Sequence, residues 1–456
     1  MPSHDAQASH LLSSRRTVAL ALAISLTVLS TFHLLSEAPL TLCLALVAPF
    51  WPENATQGTI GSAANELSPV LPAPSPANRS RTLGVASRIY VVSLPARTDR
   101  REQMDRLRAS LDLEWTYVDA VDASHPEVFA ILRQVRALRA QIASVVLSRS
   151  DDPNPLADPS EQIDMEHAPG FHWPDVLDEL VHAPGPLQPS GADLWTVPSE
   201  PQFFDSSELP IVAELHPAHR LQSHSSAHAK KLNLHLACTD ENRLLATFSA
   251  ALPPQRILTP AKVACWHSHM QVIREIANSQ DERPAIILED DVDMERDIQA
   301  RLEGLWPALP VDWDIVYLGH CWSDESLNPA LHTSSSPPPP SPDVAANLHA
   351  TLSSRSSLHP SVAPKCTHAY VLSRSGARRV LLHLRHPPFA YSRAIDQALA
   401  WLVRSGRVRA FSVVRSVVVQ RKQVSSDVMS GKGSKWREGL MDGVLAAEEK
   451  SAGGYP

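Results

Sequence analysis

Glycine, cysteine and net positive charge are scarce in this chain of 456 residues, and each scarcity excludes a class of protein. Glycine contributes 16 residues, about half of the usual ~7%, and shows no collagen-like period. Five cysteines in so long a chain are too few for a disulfide scaffold. Lys and Arg total 41 against 49 Asp and Glu, a net charge of −8, so the charge balance gives no support to a nucleic acid partner.

Proline, by contrast, is in excess. It contributes 39 residues, about 8.6% where about 5% is usual, which indicates that part of the chain is not packed domain. Hydrophobic residues at 43% and ten tryptophans nevertheless exclude a fully disordered chain. The length allows up to about three domains.

An uncharged apolar run near the N-terminus predicts a membrane anchor. Residues 17–35 are long enough to cross a hydrocarbon core of about 30 Å as a helix. Arg15 and Arg16 precede the run and only Glu37 follows closely, so the positive-inside rule predicts a cytosolic tail over residues 1–16. A cleaved signal peptide is the alternative, although its apolar core would be shorter, about 7–15 residues. The expectation is therefore a single-pass type II protein of the Golgi or ER membrane.

The composition after the anchor predicts a stem and one interrupted catalytic domain. The stem is predicted over residues 36–87. Its part from residue 53 to residue 87 is rich in Ser, Pro, Ala and Asn and carries two glycosylation sequons, at Asn54 and Asn78, which a lumenal glycoprotein could use. The catalytic domain is expected over residues 88–430, and a C-terminal tail over 431–456. Two proline-rich stretches inside the domain, about 151–217 and 325–364, are predicted to be insertions of low order.

The domain opens with a strand, a basic turn, a helix and a second strand. Residues 88–94 are β-branched and aromatic, residues 102–111 have helical spacing, and residues 114–122 alternate and end on a carboxylate. This order predicts a right-handed βαβ unit in a mostly parallel sheet. Ligands collect at the carboxyl ends of such strands. That edge is expected to hold four polar side chains: Arg97, Asp99, Arg100 and Asp122.

A second strand end carries an unusual acidic run. The apolar residues 284–288 are followed by Glu289, Asp290, Asp291 and Asp293. Adjacent acids repel one another unless a cation neutralises them or water solvates them. A hard divalent cation such as Mn²⁺ or Mg²⁺ is predicted, and a solvated acidic turn is the alternative left open.

Taken in order, the motifs of the chain resemble glycosyltransferase family 25, which includes lipooligosaccharide and collagen galactosyltransferases. The similarity covers the Arg- and Asp-rich turn at 97–101, Val121-Asp122, Cys265 with Ser268-His269, the acidic run at 287–292, residues 314–319, residues 369–377, Asp396, and Gln420 with Ser426-Asp427. The resemblance implies an α/β domain of the GT-A type. It also implies inverting transfer of a sugar, often galactose, from a UDP-sugar to a hydroxyl of a glycan or glycoprotein acceptor.

The resemblance further assigns roles at the donor end. Asp291 would be the principal ligand of Mn²⁺ or Mg²⁺, with Asp290 and Asp293 tuning the metal site. Glu289 would face the donor ribose or a water bound to the metal. The nucleotide or its phosphates would be contacted by Arg97 and Arg100, in the basic turn that also holds Asp99, and by Asp122 and His269. The alternative left open for the two arginines is an exposed position at the strand end with no binding role, and a structural role for His269 is equally open.

Inverting transfer also needs a base for the acceptor hydroxyl. Asp396 is the first candidate because it is an isolated carboxylate in a late segment, and Asp427 is the second. Departures from the family pattern include Lys262, where an acid is common, and Ala264 in place of glycine. A catalytically silent anchored binding protein and a metal-dependent phosphate-ester hydrolase remain open alternatives, as does the pairing of the cysteines.

Overall fold

The computed structural model describes residues 80–148, 171–195, 235–240, 243–332, 356–422, 426–428 and 439–447. All of them lie in one compact unit, Pro74–Pro456. The predicted cytosolic tail and anchor, and the predicted stem up to residue 79, lie outside this part of the chain. Among the residues described, no helix has the length and apolar character needed to cross a membrane.

Strands and helices are interspersed along the domain. The strands are β1 Arg88–Ser93, β2 Thr116–Asp119, β3 Leu236–Ala237, β4 Ile257–Leu258, β5 Ala285–Glu289, β6 Val292–Met294, β7 Ile315–Tyr317, β8 Ser357–Pro360, β9 Ala369–Leu372, β10 Ala410–Val414 and β11 Val418–Gln420. The helices are α1 Thr98–Leu111, α2 Pro126–Ser148, α3 Leu177–His182, α4 Pro260–Asn278, α5 Ile298–Leu305, α6 Arg374–Leu384 and α7 Ile395–Arg404.

One seven-stranded sheet organises the domain, in the order β2-β1-β5-β9-β7-β10-β8. Strands β2, β1 and β5 pair in parallel, and so do β7 and β10. Strand β9 is antiparallel to both β5 and β7, and β8 is antiparallel to β10. Five strands therefore run in one direction and two in the other. The fold is mixed α/β with a mostly parallel sheet, as the sequence predicted.

Both faces of the sheet are covered, which explains why the strands read as continuous apolar runs. Successive residues of a strand point to opposite faces. Tyr90 and Val92 of β1 pack on the side of α2, α4, α6 and α7, while Ile89 and Val91 pack on the side of α1 and α5. Thr259 caps α4 by accepting a hydrogen bond from the amide of Lys262. The result is a three-layer domain with a core on each face of the sheet.

Residues 171–195 differ from our expectation of a low-order insertion. Leu177, Val181 and Leu187 are buried against the helical layer. The guanidinium of Arg378 on α6 donates to the carbonyls of Leu180, Val181, Ala183 and Gly185 at 2.7–2.9 Å. A cation that binds the last carbonyls of α3 satisfies groups that a helix end leaves without partners. This contact comes from nearly 200 residues away, so local composition could not reveal it.

Residues 439–447 differ from the predicted C-terminal tail in the same way. Val444 and Leu445 are fully buried in the second core. The amides of Met441 and Asp442 donate to the carboxylate of Glu295, both at 2.8 Å. This part of the tail is a packed element of the domain.

Candidate active site

A cavity of about 590 Å³ opens at the edge of the sheet where β1, β5 and β7 end. Strand β9 runs in the opposite direction, so its first residues lie at the same edge, and the amide of Glu289 donates to the carbonyl of His368 at 2.9 Å. The cavity is lined by residues from seven parts of the chain: Arg100, Gln255, Lys262, Cys265, Glu289, Asp291, Trp322, Lys365, Cys366, Thr367, Ala394, Ile395, Asp396, Gln397, Gln420, Arg421, Lys422, Ser426, Asp427 and Val428.

Glu289 is the last residue of β5 and forms the floor of the cavity. Its carboxylate accepts a hydrogen bond from the Thr367 hydroxyl at 2.6 Å and lies 3.4 Å from Nε2 of His269. Burial by itself would raise the pKa of Glu289, but the hydrogen bonds from His269 and Thr367 and the charge of His269 outweigh it and lower the pKa to about 2. Glu289 is therefore a carboxylate at neutral pH and is held in place on two sides.

Asp291 also lines the cavity, and the groups around it offset its negative charge less than those around Glu289 do. The amide of Gln420 lies 3.1 Å from one oxygen of Asp291 and 3.3 Å from the other, and Nη1 of Arg100 lies 3.3 Å away. Burial, followed by the negative charge of Glu289, raises the pKa of Asp291 to about 7. Such a raised pKa marks a carboxylate that the surrounding protein does not fully neutralise.

Asp290 points away from the cavity and binds the basic helix α1. Its side chain is 6% exposed and accepts a hydrogen bond from Nη1 of Arg100 at 2.8 Å. Burial raises the pKa of Asp290, against the opposing effect of Arg100. Asp290 therefore fixes Arg100 at the wall of the cavity, in contrast to the metal-site role that the sequence suggested.

The arginines of the basic turn also contact Asp427, which lies far along the chain towards the C-terminus. Arg97 forms a bidentate pair with Asp99, with both distances 2.9 Å, and also hydrogen-bonds Asp427. Nη2 of Arg100 lies 3.3 Å from the same Asp427 carboxylate. Both arginines thus hold Asp427, which makes this aspartate an ion-pair partner. Asp122 lies apart in a turn, where its carboxylate accepts hydrogen bonds from the amide and hydroxyl of Ser124.

Asp396 stands on a different wall, at the start of α7. Its carboxylate accepts a hydrogen bond from the amide of Gln397 at 2.8 Å. Burial raises the pKa of Asp396, while that amide, the amide of Cys366 and the charge of Lys262 act in the opposite direction. A partly buried carboxylate whose pKa is raised is a stronger base than an ordinary aspartate, which suits it to accept a proton.

Asp293 has a structural environment that the sequence did not indicate. It lies on β6 and is 2% exposed, and it accepts hydrogen bonds from the amides of Met294, Leu445 and Ala446 at 2.8–3.0 Å. Two of these amides belong to the helical turn at residues 444–447. The predicted role of Asp293 in tuning a metal site does not fit this arrangement, because its two oxygens hold the C-terminal segment.

His269 is buried beneath the cavity. Its ring lies 2.9 Å from the Tyr370 hydroxyl through Nδ1 and faces Glu289 through Nε2. It therefore supports Glu289 and does not line the cavity itself, which is the structural alternative that the sequence left open.

The cavity residues that were not singled out for function from the sequence include Thr367, Lys262, Trp322 and Lys365. Thr367 lies two residues before the strand motif of β9, and this position was the available signal. Lys262 was noted only as a departure from the family, yet its ammonium group donates to the carbonyls of Pro254 and Ile257 at 2.7 Å and is 4% exposed. Burial lowers the pKa of Lys262.

A disulfide joins two loops at the rim of the cavity. Cys321 follows β7, Cys366 precedes β9, and the two are bonded, whereas Cys238 and Cys265 are free. Between β7 and Cys321, Gly319 passes so close to β11 that an added Cβ would lie 2.0 Å from the carbonyl oxygen of Val418. A glycine is required at this crossing, which accounts for the glycine that ends the motif at 314–319.

The residues of the cavity fit one hard divalent cation. Asp291 and Glu289 supply carboxylate oxygens, the ligands that Mg²⁺ and Mn²⁺ prefer, and the cavity leaves room for water and phosphate oxygens. A softer site at Cys265, His269 and Glu289 brings three potential ligand atoms within 4.8 Å of one another. Burial raises the pKa of the Cys265 thiol well above its usual range, so a metal ion bound there would have to displace the thiol proton.

Comparison with known families matches one segment of the chain. No curated protein matches the chain. Residues 225–397 match the model of glycosyltransferase family 25, described as an LPS biosynthesis protein. The matched segment includes Glu289, Asp291 and Asp396, whereas Arg97, Arg100 and Asp427 lie outside it. The resemblance predicted from the motifs is confirmed over this segment, and the chain is matched there to glycosyltransferase family 25, which supports a glycosyltransferase.

Proposed function

We propose that the chain is a metal-dependent inverting glycosyltransferase of the GT-A type. It would move a sugar, with galactose as the first candidate, from a UDP-sugar to a hydroxyl of a glycan or glycoprotein. The observation that carries the proposal is that a single cavity joins Glu289 and Asp291 to a cationic wall at Arg100 and to a separate carboxylate, Asp396. Transfer needs both ends: one that stabilises a leaving diphosphate and one that accepts a proton.

The donor end is built for phosphate. Arg100 is held by Asp290 and lines the cavity beside Asp291, so its guanidinium can contact a diphosphate oxygen. Asp291, assisted by Glu289, would hold Mn²⁺ or Mg²⁺, which supplies positive charge for the departing UDP. Arg97, through its contact with Asp427, would order the late segment over the nucleotide.

The acceptor end requires a base on the face opposite the leaving group. In inverting transfer the acceptor oxygen forms a bond to the anomeric carbon as the bond to the diphosphate oxygen breaks. The carboxylate of Asp396 would accept the proton that the hydroxyl loses. The amides of Gln397 and Cys366, followed by the charge of Lys262, oppose the effect of burial on the pKa of Asp396.

We also propose the membrane-anchored, lumenal arrangement that the N-terminal sequence predicts. The disulfide between Cys321 and Cys366 supports an oxidising compartment, where such bonds form and persist. Protease treatment of sealed vesicles should leave the C-terminal domain intact, and digestion of that domain would reverse the orientation.

The activity is tested by incubating the full-length chain with a panel of radiolabelled UDP-sugars, with Mn²⁺ or with a chelator. Asp291→Asn should abolish both transfer and donor hydrolysis. Asp396→Asn should reduce transfer by a factor of 10² or more, the lower range for a general base, while UDP affinity stays the same. Asp281→Asn is the matched control, because Asp281 is paired with Arg283 at the opposite edge of the sheet. Absence of transfer and hydrolysis with every donor, while Asp291→Asn leaves nucleotide binding unchanged, would refute the proposal.

A further inference from the structure

Trp322 has a combination of properties that packing alone does not explain. It is 51% exposed, although tryptophan is usually well buried. Its backbone is in the left-handed region, with φ 57°, which costs free energy for any residue with a Cβ. It also lines the cavity described above. Strained conformations of this kind persist where the surroundings enforce them, and they cluster at functional sites.

The surroundings do enforce the position of Trp322. The preceding residue, Cys321, is 2% exposed and is bonded to Cys366. Its amide donates to the carbonyl of Lys365 at 2.9 Å, and the amide of Lys365 donates back at 3.0 Å. A covalent bond and two reciprocal hydrogen bonds therefore fix the backbone beside Trp322. The tryptophan is held at the rim by groups that are themselves buried or cross-linked.

The sheet order places Trp322 on the acceptor side of the cavity. The acids of β5 lie in the middle, and β1, with the basic turn that follows it, lies on one side of them. Strands β9 and β7 lie on the other side, and Trp322 follows β7. Arg100 and Trp322 therefore line the cavity from opposite sides of Glu289. Lys365 and Asp396 complete the lining on parts of the chain distant from the basic turn.

We propose that Trp322 is the platform on which the sugar ring of the acceptor lies. A pyranose ring has one face on which C–H groups predominate, and an indole ring offers a large, rigid apolar surface with little conformational entropy to lose. Stacking on Trp322 would set the ring orientation, while Asp396 receives the proton from the reacting hydroxyl. This inference rests on the proposed function, because it assigns the acceptor subsite of the same cavity.

Direct binding tests the platform without requiring transfer. Saturation-transfer NMR would use the full-length chain with UDP, Mn²⁺ and millimolar methyl β-galactoside, methyl β-glucoside or methyl β-N-acetylglucosaminide. Trp322→Ala and Trp322→Leu should weaken binding of the glycoside by about tenfold or more, which corresponds to about 1.4 kcal/mol. Trp322→Phe keeps an aromatic face and should recover most of the binding. Leu327→Ala is the matched control, because Leu327 is 72% exposed on the same loop but does not line the cavity.

A second measurement distinguishes a role of Trp322 in acceptor binding from a role in donor binding. UDP affinity, measured by calorimetry, should stay within about twofold in every Trp322 variant. A parallel loss of UDP affinity in Trp322→Ala would overturn the proposal and would place the uracil base on the tryptophan. Unchanged glycoside binding in Trp322→Ala, or binding of none of the glycosides to a wild-type chain that binds UDP, would also overturn it. If the wild type bound the glycosides through Trp322 but neither bound nor hydrolysed any UDP-sugar, the proposed function would be refuted. The assignment of Trp322 as the platform for a sugar ring would stand.

Discussion

Asp291 and Asp293 belong to one acidic run, yet the structure predicts opposite effects when each is replaced by asparagine. Asp293 accepts hydrogen bonds from three amides, those of Met294, Leu445 and Ala446, in a fully packed environment. Asp291 faces a cavity and lies close to other carboxylates. Asparagine preserves the shape in both cases and removes the charge.

The magnitude for Asp293→Asn follows from its contacts. Asparagine keeps one acceptor oxygen and turns an NH₂ group towards an amide that also donates, so at least one hydrogen bond is lost. A hydrogen bond to a charged group contributes about 1.5–3 kcal/mol, and a buried donor without a partner costs about 1–3 kcal/mol. We expect the free energy of unfolding to fall by about 2–4 kcal/mol. The turn at residues 444–447, which buries Val444 and Leu445, should lose its order first.

Asp291→Asn should behave differently in the same assays. It removes a negative charge that is buried beside Glu289 and Asp290, so Tm should be unchanged or higher. Transfer and its stimulation by Mn²⁺ should be lost. Asp293→Asn should instead lower Tm by several degrees, at about 2–4 °C per kcal/mol for a domain of 150–250 residues. Below its Tm it should retain Mn²⁺-dependent activity.

Thermal unfolding followed by circular dichroism, together with Mn²⁺-dependent transfer, checks both variants. Asp297→Asn is a suitable control because Asp297 is largely exposed and forms a surface pair with Arg301, so its effect on stability should be within about 1 kcal/mol. If Asp293→Asn kept its Tm and lost the stimulation by Mn²⁺, the division of the acidic run into a cavity part and a structural part would be refuted.

Three further predictions concern stability. Arg378→Met should lower the free energy of unfolding by about 3–5 kcal/mol in urea titrations, because several buried or partly buried carbonyls lose their donor; an equal loss in Arg283→Met, which removes an exposed side chain from its pair with Asp281, would contradict this assignment. Burial lowers the pKa of His383 to about 4, so the unfolded chain binds a proton that the folded chain rejects between about pH 6.5 and pH 4. Stability should therefore fall as the pH drops through this window, by up to about 2 kcal/mol between pH 7 and pH 5, and His383→Gln should flatten that part of the profile. Replacing both Cys321 and Cys366 by serine should cost about 4 kcal/mol in the same titration, since the bond closes a loop with a sequence separation of 45 residues; a change below about 1 kcal/mol would show that the bond does not constrain the unfolded chain.

Local patterns were sufficient for the strands and helices that carry the family motifs. The apolar run before Glu289 became β5, because burial on both faces of a sheet leaves a continuous apolar run in the sequence. The position of the acids at the end of β5 could also be predicted from the sequence, since the end of a strand is a local feature. The separate role of each acid could not.

The role of each carboxylate depended on hydrogen-bond partners that are distant in the sequence. Asp290 meets Arg100, which lies 190 residues earlier, and Asp293 meets the amide of Leu445, which lies 152 residues later. In both cases a long-range hydrogen bond determines whether a carboxylate faces the cavity or the core. The prediction for residues 171–195 was wrong for the same reason. Their proline-rich composition suggested low order, and it gives no sign that Arg378 binds their backbone carbonyls.

The sequence by itself therefore determined the class of fold, the strands and helices that carry the family motifs, and the set of carboxylates from which a site could be built. These properties follow from hydrophobic periodicity and from strand ends, which involve neighbouring residues. Tertiary structure alone decided that Asp291 and Asp396 share a cavity, that Asp293 holds the C-terminal segment, and that Cys321 pairs with Cys366 beside Trp322. Those properties depend on which distant segments come into contact at the edge of the sheet, and a single sequence contains no local signal for such long-range contacts.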